Sequence, residues 1–158
     1  MRRVWAAVPV LVLAMGCGSP ASEVVEGGPA PTGVAPGVTL YFLDDQGDLR
    51  PQLRDTGRLG TIPEAMSLLL AGPGGSDLRT GIESNGPQRM TVTVREDVIE
   101  LMAPLSADEV SPAGIDQIVC TALAAHVQSG GSPDTGVRVG LTLPTPESDG
   151  IRTCPVEH

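Results

Sequence analysis

Between Val38 and Leu143 the spacing of apolar residues switches repeatedly between period two and period 3.6, and this limits the chain more than any other feature. Val38, Leu40 and Phe42 share one face of a first strand; Thr39, Tyr41 and Leu43 share the other. Both faces are mostly apolar, as in a central strand. Asp44 to Asp48 is a turn cluster. Leu49 to Asp55 returns as a short second strand, which Pro51 confines to an edge. Thr61 is placed to cap a helix, with Pro63 in its first turn and Glu64 positioned for a capping box. Ile62, Ala65, Met66 and Leu69 follow helical spacing, and Gly72-Pro73 stops the helix. Residues 74–88 read as loop. Met90 to Val94 alternates strictly, Arg95 to Asp97 turn tightly, and Val98 to Met102 returns, which makes a hairpin. Ser111-Pro112 starts a second helix with the apolar stripe Ile115, Ile118, Val119, Ala122, Leu123 and Val127, ended by Gly130-Gly131. Val137 to Leu143 is a last strand.

The order β-α-β-β-α-β predicts a single α/β domain of α+β type. It is a split β-α-β-β-α-β sandwich with two helices packed on a small mixed sheet. No internal repeat with a period of 20–50 residues occurs. At 158 residues there is room for one such domain.

Ahead of this domain, Arg2 and Arg3 precede a twelve-residue apolar run, Val4 to Met15, followed by Gly16-Cys17. The run is too short to span a bilayer and reads as a secretory signal over residues 1–16. Leu13-Ala14-Met15-Gly16-Cys17 resembles a bacterial lipobox, with Ala14 where Leu is commoner. The resemblance implies cleavage before Cys17 and lipidation of its sulfur. The alternative is an ordinary signal peptide with an incidental Cys. Two acyl chains, such as palmitate, hold a protein stably where one is marginal. The expected location is therefore the extracytoplasmic face of the cell membrane, lipid-anchored. Residues 17–37 carry the lipidated Cys and a Gly/Pro-rich linker; nine of the twenty residues 18–37 are Gly or Pro. Such a tether spans roughly 25 Å as a coil and about 60 Å if extended.

Three Cys is an odd count for an exported chain. With Cys17 lipidated, Cys120 and Cys154 remain in a disulfide-permissive compartment. A bridge between them would pin the 144–158 tail and contribute roughly 3–4 kcal/mol in the chain-entropy model. The alternative is two free thiols.

Composition excludes several functions. All ten basic residues are Arg, against nineteen acids. Loss of Arg2 and Arg3 with the signal leaves eight against nineteen, a balance of −11. That balance argues against nucleic-acid binding and against direct contact with anionic lipid or wall polymers. Only Tyr41 and Phe42 remain as aromatics once Trp5 is removed, too few for base or sugar stacking.

The chemistry-bearing residues are sparse. Cys120 and His126 lie on one helix but six residues apart, about 240° around it, so they do not form a dyad. His126 is expected to pack near the helix end and cap carbonyls of the last turn. His158 is the last residue. Asp44, Asp45 and Asp48 lack the ligand spacing and closing Glu of a calcium loop, and read as an acidic turn, as do Glu96 and Asp97. Gly72 to Ser76 follows a helix rather than a strand, and the chain has no Lys, so no phosphate loop is expected. Too few His and Cys remain for zinc. A carboxylate pair for glycoside hydrolysis is not ruled out by counting, although no aromatic platform supports it. No metal, no cofactor, no catalytic residue and no enzymatic activity are expected.

One set of segments carries a family resemblance. They are Val38 to Phe42 with Arg54, Ile62-Pro63-Glu64-Ala65, Leu68-Leu69-Leu70-Ala71-Gly72-Pro73, Gly81-Ile82, the 90–102 hairpin and Gln117 to Leu123. In this order residues 38–143 resemble the GerMN domain of spore-germination GerM proteins and of many lipoproteins of Gram-positive bacteria. The resemblance implies a non-enzymatic, extracytoplasmic protein-interaction module of the cell envelope, with a link to sporulation or germination. GerM-type proteins carry two copies; one is evident here. Its partners would be the membrane, through Cys17, and another extracytoplasmic protein, met through the 72–89 loop, the acidic turns or a sheet edge. The rival reading is a lipoprotein that binds a small ligand or a cell-wall fragment, accessory to a transporter or sensor.

Overall fold

The first strand starts at Gly37, where the Gly/Pro-rich segment gives way to alternating apolar residues. The computed structural model describes residues 37–83, 89–143, 145 and 150–156. The signal segment, Cys17, the linker up to residue 36 and His158 lie outside the described residues. In chain order the elements are β1 (Gly37–Leu43), β2 (Leu49–Asp55), α1 (Ile62–Leu70), β3 (Thr91–Val94), β4 (Val98–Met102), α2 (Pro112–Gln128), β5 (Gly136–Gly140) and β6 (Ile151–Arg152).

The expected α+β class and the β-α-β-β-α-β core order hold, and the strands divide into two sheets. β1 and β2 pair antiparallel as a two-stranded sheet; the other four form a mixed sheet in the order β3-β4-β5-β6. β3 and β4 are antiparallel, and α2 is the crossover that makes β4 and β5 parallel. β6, absent from the sequence reading, adds two residues antiparallel to β5. β5 stops at Gly140 instead of Leu143 because the backbone changes partners there. Ala103 N–H donates to Gly140 C=O and Thr142 N–H to Leu105 C=O, at 2.8 and 2.9 Å.

Both helices start as their caps dictate. Thr61 Oγ1 accepts the Glu64 N–H, and Ser111 Oγ accepts the Gly114 N–H at 3.0 Å. The reciprocal half of the capping box is replaced by an ion pair, since Glu64 turns to Arg58 at 2.9 Å. One core joins the two sheets. Val38, Leu40 and Phe42 of β1 meet Ala65, Met66 and Leu69 of α1, Ile118 and Val119 of α2, and Ile99, Leu101, Val137 and Val139 of the larger sheet. Each fully buried side chain of Leu or Phe size contributes about 1.5–3 kcal/mol. Tyr41, on the opposite face of β1, is buried in a second cluster with Cys120 and Ala124. β1 is therefore apolar on both faces, as expected of a central strand, yet among the described residues it pairs with one strand, β2, and on its other side makes a single bridge, from Leu43 to Arg79.

Two glycines allow the close approach that locks the 81–82 segment to α2. A Cβ on Gly114 would lie 2.3 Å from Gly81 O, and one on Gly81 would lie 2.8 Å from Gly114 N. Arg54 Nη2 reaches Gly72 C=O at 3.3 Å, and Gln52 Nε2 reaches Pro73 C=O at 3.3 Å. These bonds fasten β2 to the end of α1.

Candidate functional site

Cys120 and Cys154 are bonded to each other, with Cα atoms 4.8 Å apart. Cys120 is fully buried in the middle of α2, and the bridge fastens the segment after β6 against it. His126 sits half-buried in the last turn of α2, its Nε2 3.3 Å from Thr135 Oγ1. The carbonyls of that turn are taken by the N–H groups of Ser129, Gly130 and Gly131 and by the Ser129 hydroxyl. The expected capping by the imidazole is thus supplanted by a backbone turn through Gly130, whose φ is +89°.

The acidic turn is a structural device. Asp44 accepts the N–H groups of Gln46 and Asp48 at 2.9 Å and Arg50 Nε at 2.8 Å. The Arg50 bond and these backbone bonds hold its carboxyl below the usual range. Asp45 pairs with Arg79. Glu96 and Asp97 are exposed at the β3–β4 turn. The Gly72–Ser76 loop offers carbonyls to Arg54, Gln52 and the Ser76 hydroxyl, the opposite polarity to a phosphate cradle. Among the described residues, no three or more His, Cys, Asp or Glu are placed to hold a metal ion. No helix among them is long and apolar enough to cross a membrane.

What distinguishes surfaces here is the treatment of strand edges. β1 pairs Tyr41 with Pro51, which has no N–H, so the polar backbone groups of Tyr41 face away from β2. They meet α2: Tyr41 N–H donates to Thr121 Oγ1 at 3.0 Å, and Gln117 Nε2 donates to Tyr41 C=O at 3.0 Å. Gln117 Oε1 also accepts the Gly81 N–H at 2.6 Å. Gln117 and Thr121 are 0 % exposed, and they stand four residues apart on one helix face. Sequence reasoning placed both in the GerMN-like segment without a role. The signal was there, as two polar residues at helical spacing beside a buried stripe. On β2 the outward position Pro51 lacks the N–H that an added strand would need.

β3 is treated differently. Arg95 N–H donates to Val98 C=O across the turn, which fixes the ladder parity. Thr91 and Thr93 face β4, so the N–H and C=O groups of Val92 and Val94 point outward. Among the described residues no strand lies beyond β3, and its four residues include neither Pro nor a charge. The adjoining outer face of this sheet carries Met102 and Ile151, each 55 % exposed. They lie across Gly140 and Gly136, where a Cβ would come within 3.0 and 2.4 Å of them. Beside them Glu100 bridges Arg95 and Arg138, at 3.1 and 3.2 Å.

At the β6 end of the sheet a cleft of about 270 Å³ is lined by Ala107, Val110, Pro112, Ile115, Leu141, Thr145 and Arg152. Pro112, Ile115 and Leu141 were placed in their helix and strand from the sequence, but none of these residues was assigned to a site, because they come from separate segments.

No family model matches this chain, and no curated protein matches it. Among solved structures, the tandem GerMN domains of the sporulation protein GerM from Bacillus subtilis superpose with a TM-score of 0.54 at 18% identity, covering 75% of this chain. The fold is GerMN-like. The match takes in 44% of the tandem-domain chain, so this chain spans less than half the length of its structural neighbour. The segments that carried the resemblance fall at the structural joints of the GerMN-like fold. Arg54 meets the Gly72 turn, and Gln117 links Gly81 to β1.

Proposed function

We propose that this chain is a lipoprotein, anchored through Cys17 at the extracytoplasmic face of the membrane. Its GerMN-like domain serves there as a non-enzymatic module that binds another envelope protein by strand addition at β3. The observation that supports this is the contrast among edges. The β1 edge is covered by α2, the β2 edge is broken by Pro51, and β6 is two residues long. The β3 edge is four residues long, with two outward N–H groups, no further strand among the described residues, and neither Pro nor charge in its own sequence. A link to sporulation or germination is supported by the likeness to GerM and by nothing else.

Val94→Pro tests the interaction. It removes one outward N–H and leaves the β3–β4 ladder intact, so stability should change by less than about 0.5 kcal/mol. In intact cells, a protein crosslinked through β3 should fall at least tenfold in recovery. Undiminished recovery with normal folding rejects the β3 edge as the interface. Cys17→Ala tests the anchor separately. The protein should leave the membrane fraction or stop maturing, and unchanged membrane retention rejects lipidation.

A further inference from the structure

The open edge of β3 can pair with itself, and the way it does so selects its occupant. Thr91 and Thr93 spend their backbone groups on β4, and Val92 and Val94 turn theirs outward. Two such strands can run antiparallel about a two-fold axis through Thr93, with Val92 of each copy opposite Val94 of the other. Each of these pairs exchanges an N–H and a C=O in both directions, so every outward group of Val92 and Val94 is used. Thr93 meets Thr93 on the axis, where side chains stand closest and Thr pairs well with Thr. Val94 is 51 % exposed, and Val92 is packed partly against the core on the same face. The pairing covers the first with the second.

The flanking charges agree with this register. Continued past the strand, it sets Arg89 of one copy beside Glu96 and Asp97 of the other, twice by symmetry. All three side chains are exposed, and every residue in the pairing falls within the described run 89–143. An axis through Val92 would instead set Arg89 opposite Arg95, two like charges, and an axis through Val94 would set Val92 against Glu96. We infer that β3 pairs with β3 of a second copy of this chain, joining two four-stranded sheets edge to edge. The inference rests on the β3 interface proposed above and names its partner. A four-residue ladder buries less than the roughly 1,200 Å² of a standard interface. Pairing is therefore favoured where copies are concentrated, as on a membrane that anchors them.

The test uses the full chain in intact cells, with copper phenanthroline as oxidant. Thr93→Cys places a thiol on the axis. Facing Cα atoms of such a non-hydrogen-bonded pair lie about 4.5 Å apart, within disulfide reach. This variant should give about tenfold more disulfide-linked homodimer than the parent. Thr91→Cys, which faces Arg95 in this register, should stay at the parent level. Adding Val94→Pro to Thr93→Cys should cut the homodimer about fivefold or more. Asp97→Arg in the Thr93→Cys background should also lower the yield, and Arg89→Asp added to it should restore it. A purely local effect of one substitution would not be reversed by the other. All of these positions are exposed, so the variants keep the fold. Equal homodimer from Thr91→Cys and Thr93→Cys, or no recovery on double charge reversal, overturns the proposal. If Thr93→Cys gives no homodimer while Val94→Pro still abolishes crosslinking of a different protein through β3, the second copy is rejected and the β3 interface stands. If neither product forms, both fall.

Discussion

The two sheets of this molecule each end in an edge, and the edges are handled in opposite ways. At β1 the outward N–H and C=O of Tyr41 are buried, and α2 supplies Thr121 and Gln117 to satisfy them. At β3, among the described residues, no strand pairs with the outward groups of Val92 and Val94. A buried backbone group left unpaired costs about 1–3 kcal/mol, so the first edge had to be closed for the fold to exist. An exposed edge is satisfied by water and bears no such cost. The comparison separates a surface that folding consumed from one that folding left available.

The largest expected effect comes from the staple beside the closed edge. The bridge joins residues 34 apart, and its removal in Cys120→Ala/Cys154→Ala should cost about 3–4 kcal/mol in chemical denaturation. Hydrogen exchange should then show faster opening at Ile151 and Arg152, because a two-residue strand has little hold of its own. β3 should exchange as before. Equal loss of protection at both ends of the sheet would mean that the staple supports the whole sheet and not its β6 end.

Next in size is the closed edge itself. Gln117→Leu removes the bonds that Tyr41 C=O and Gly81 N–H make to this side chain and should cost about 2–4 kcal/mol. Thr121→Val keeps the shape and removes only the bond from Tyr41 N–H, at about 1–2 kcal/mol. Thermal unfolding of these variants should rank them in that order. Thr91→Val on the open sheet should stay within about 0.5 kcal/mol. A Gln117→Leu variant as stable as the parent would show that water or a shifted backbone supplies the missing bonds.

How far the sequence revealed this arrangement depends on the range of the interactions. The helices, the 90–102 hairpin and the crossover were legible because period, caps and turns are local; Thr61, Ser111 and the Gly130 stop are examples. The α+β class followed from their order. The division into two sheets was not legible, because it depends on which neighbour takes the outward groups of Tyr41, and that neighbour is 80 residues away. Capping of the last α2 turn was assigned to His126 because a cation suits a helix C-terminus, yet backbone N–H groups arriving through Gly130 took the site. The Cys120–Cys154 pairing followed from counting alone. The cleft around Ile115 and Arg152 could not be found that way, since it assembles segments with no shared pattern.

The smallest prediction concerns pH, and it sets the β1–β2 hairpin against the cleft. The Arg50 bond and the backbone bonds lower the Asp44 carboxyl in the folded state. Its contribution is therefore present above the ordinary carboxylate range and is lost as pH falls through that range and below. Asp116 runs the other way: burial raises its carboxyl, with Arg152 partly offsetting the shift. The folded protein holds the Asp116 proton more tightly than the unfolded chain, so this group adds stability as pH falls and withdraws it as pH rises through its folded value. Between neutral pH and the acid limb, Asp44→Asn should flatten the loss of stability, and Asp116→Asn should steepen it. Both effects are small, and denaturant midpoints measured at closely spaced pH values would resolve them. Slopes of the same sign in the two variants would mean that Asp116 is held charged in the folded state, the attraction of Arg152 outweighing burial.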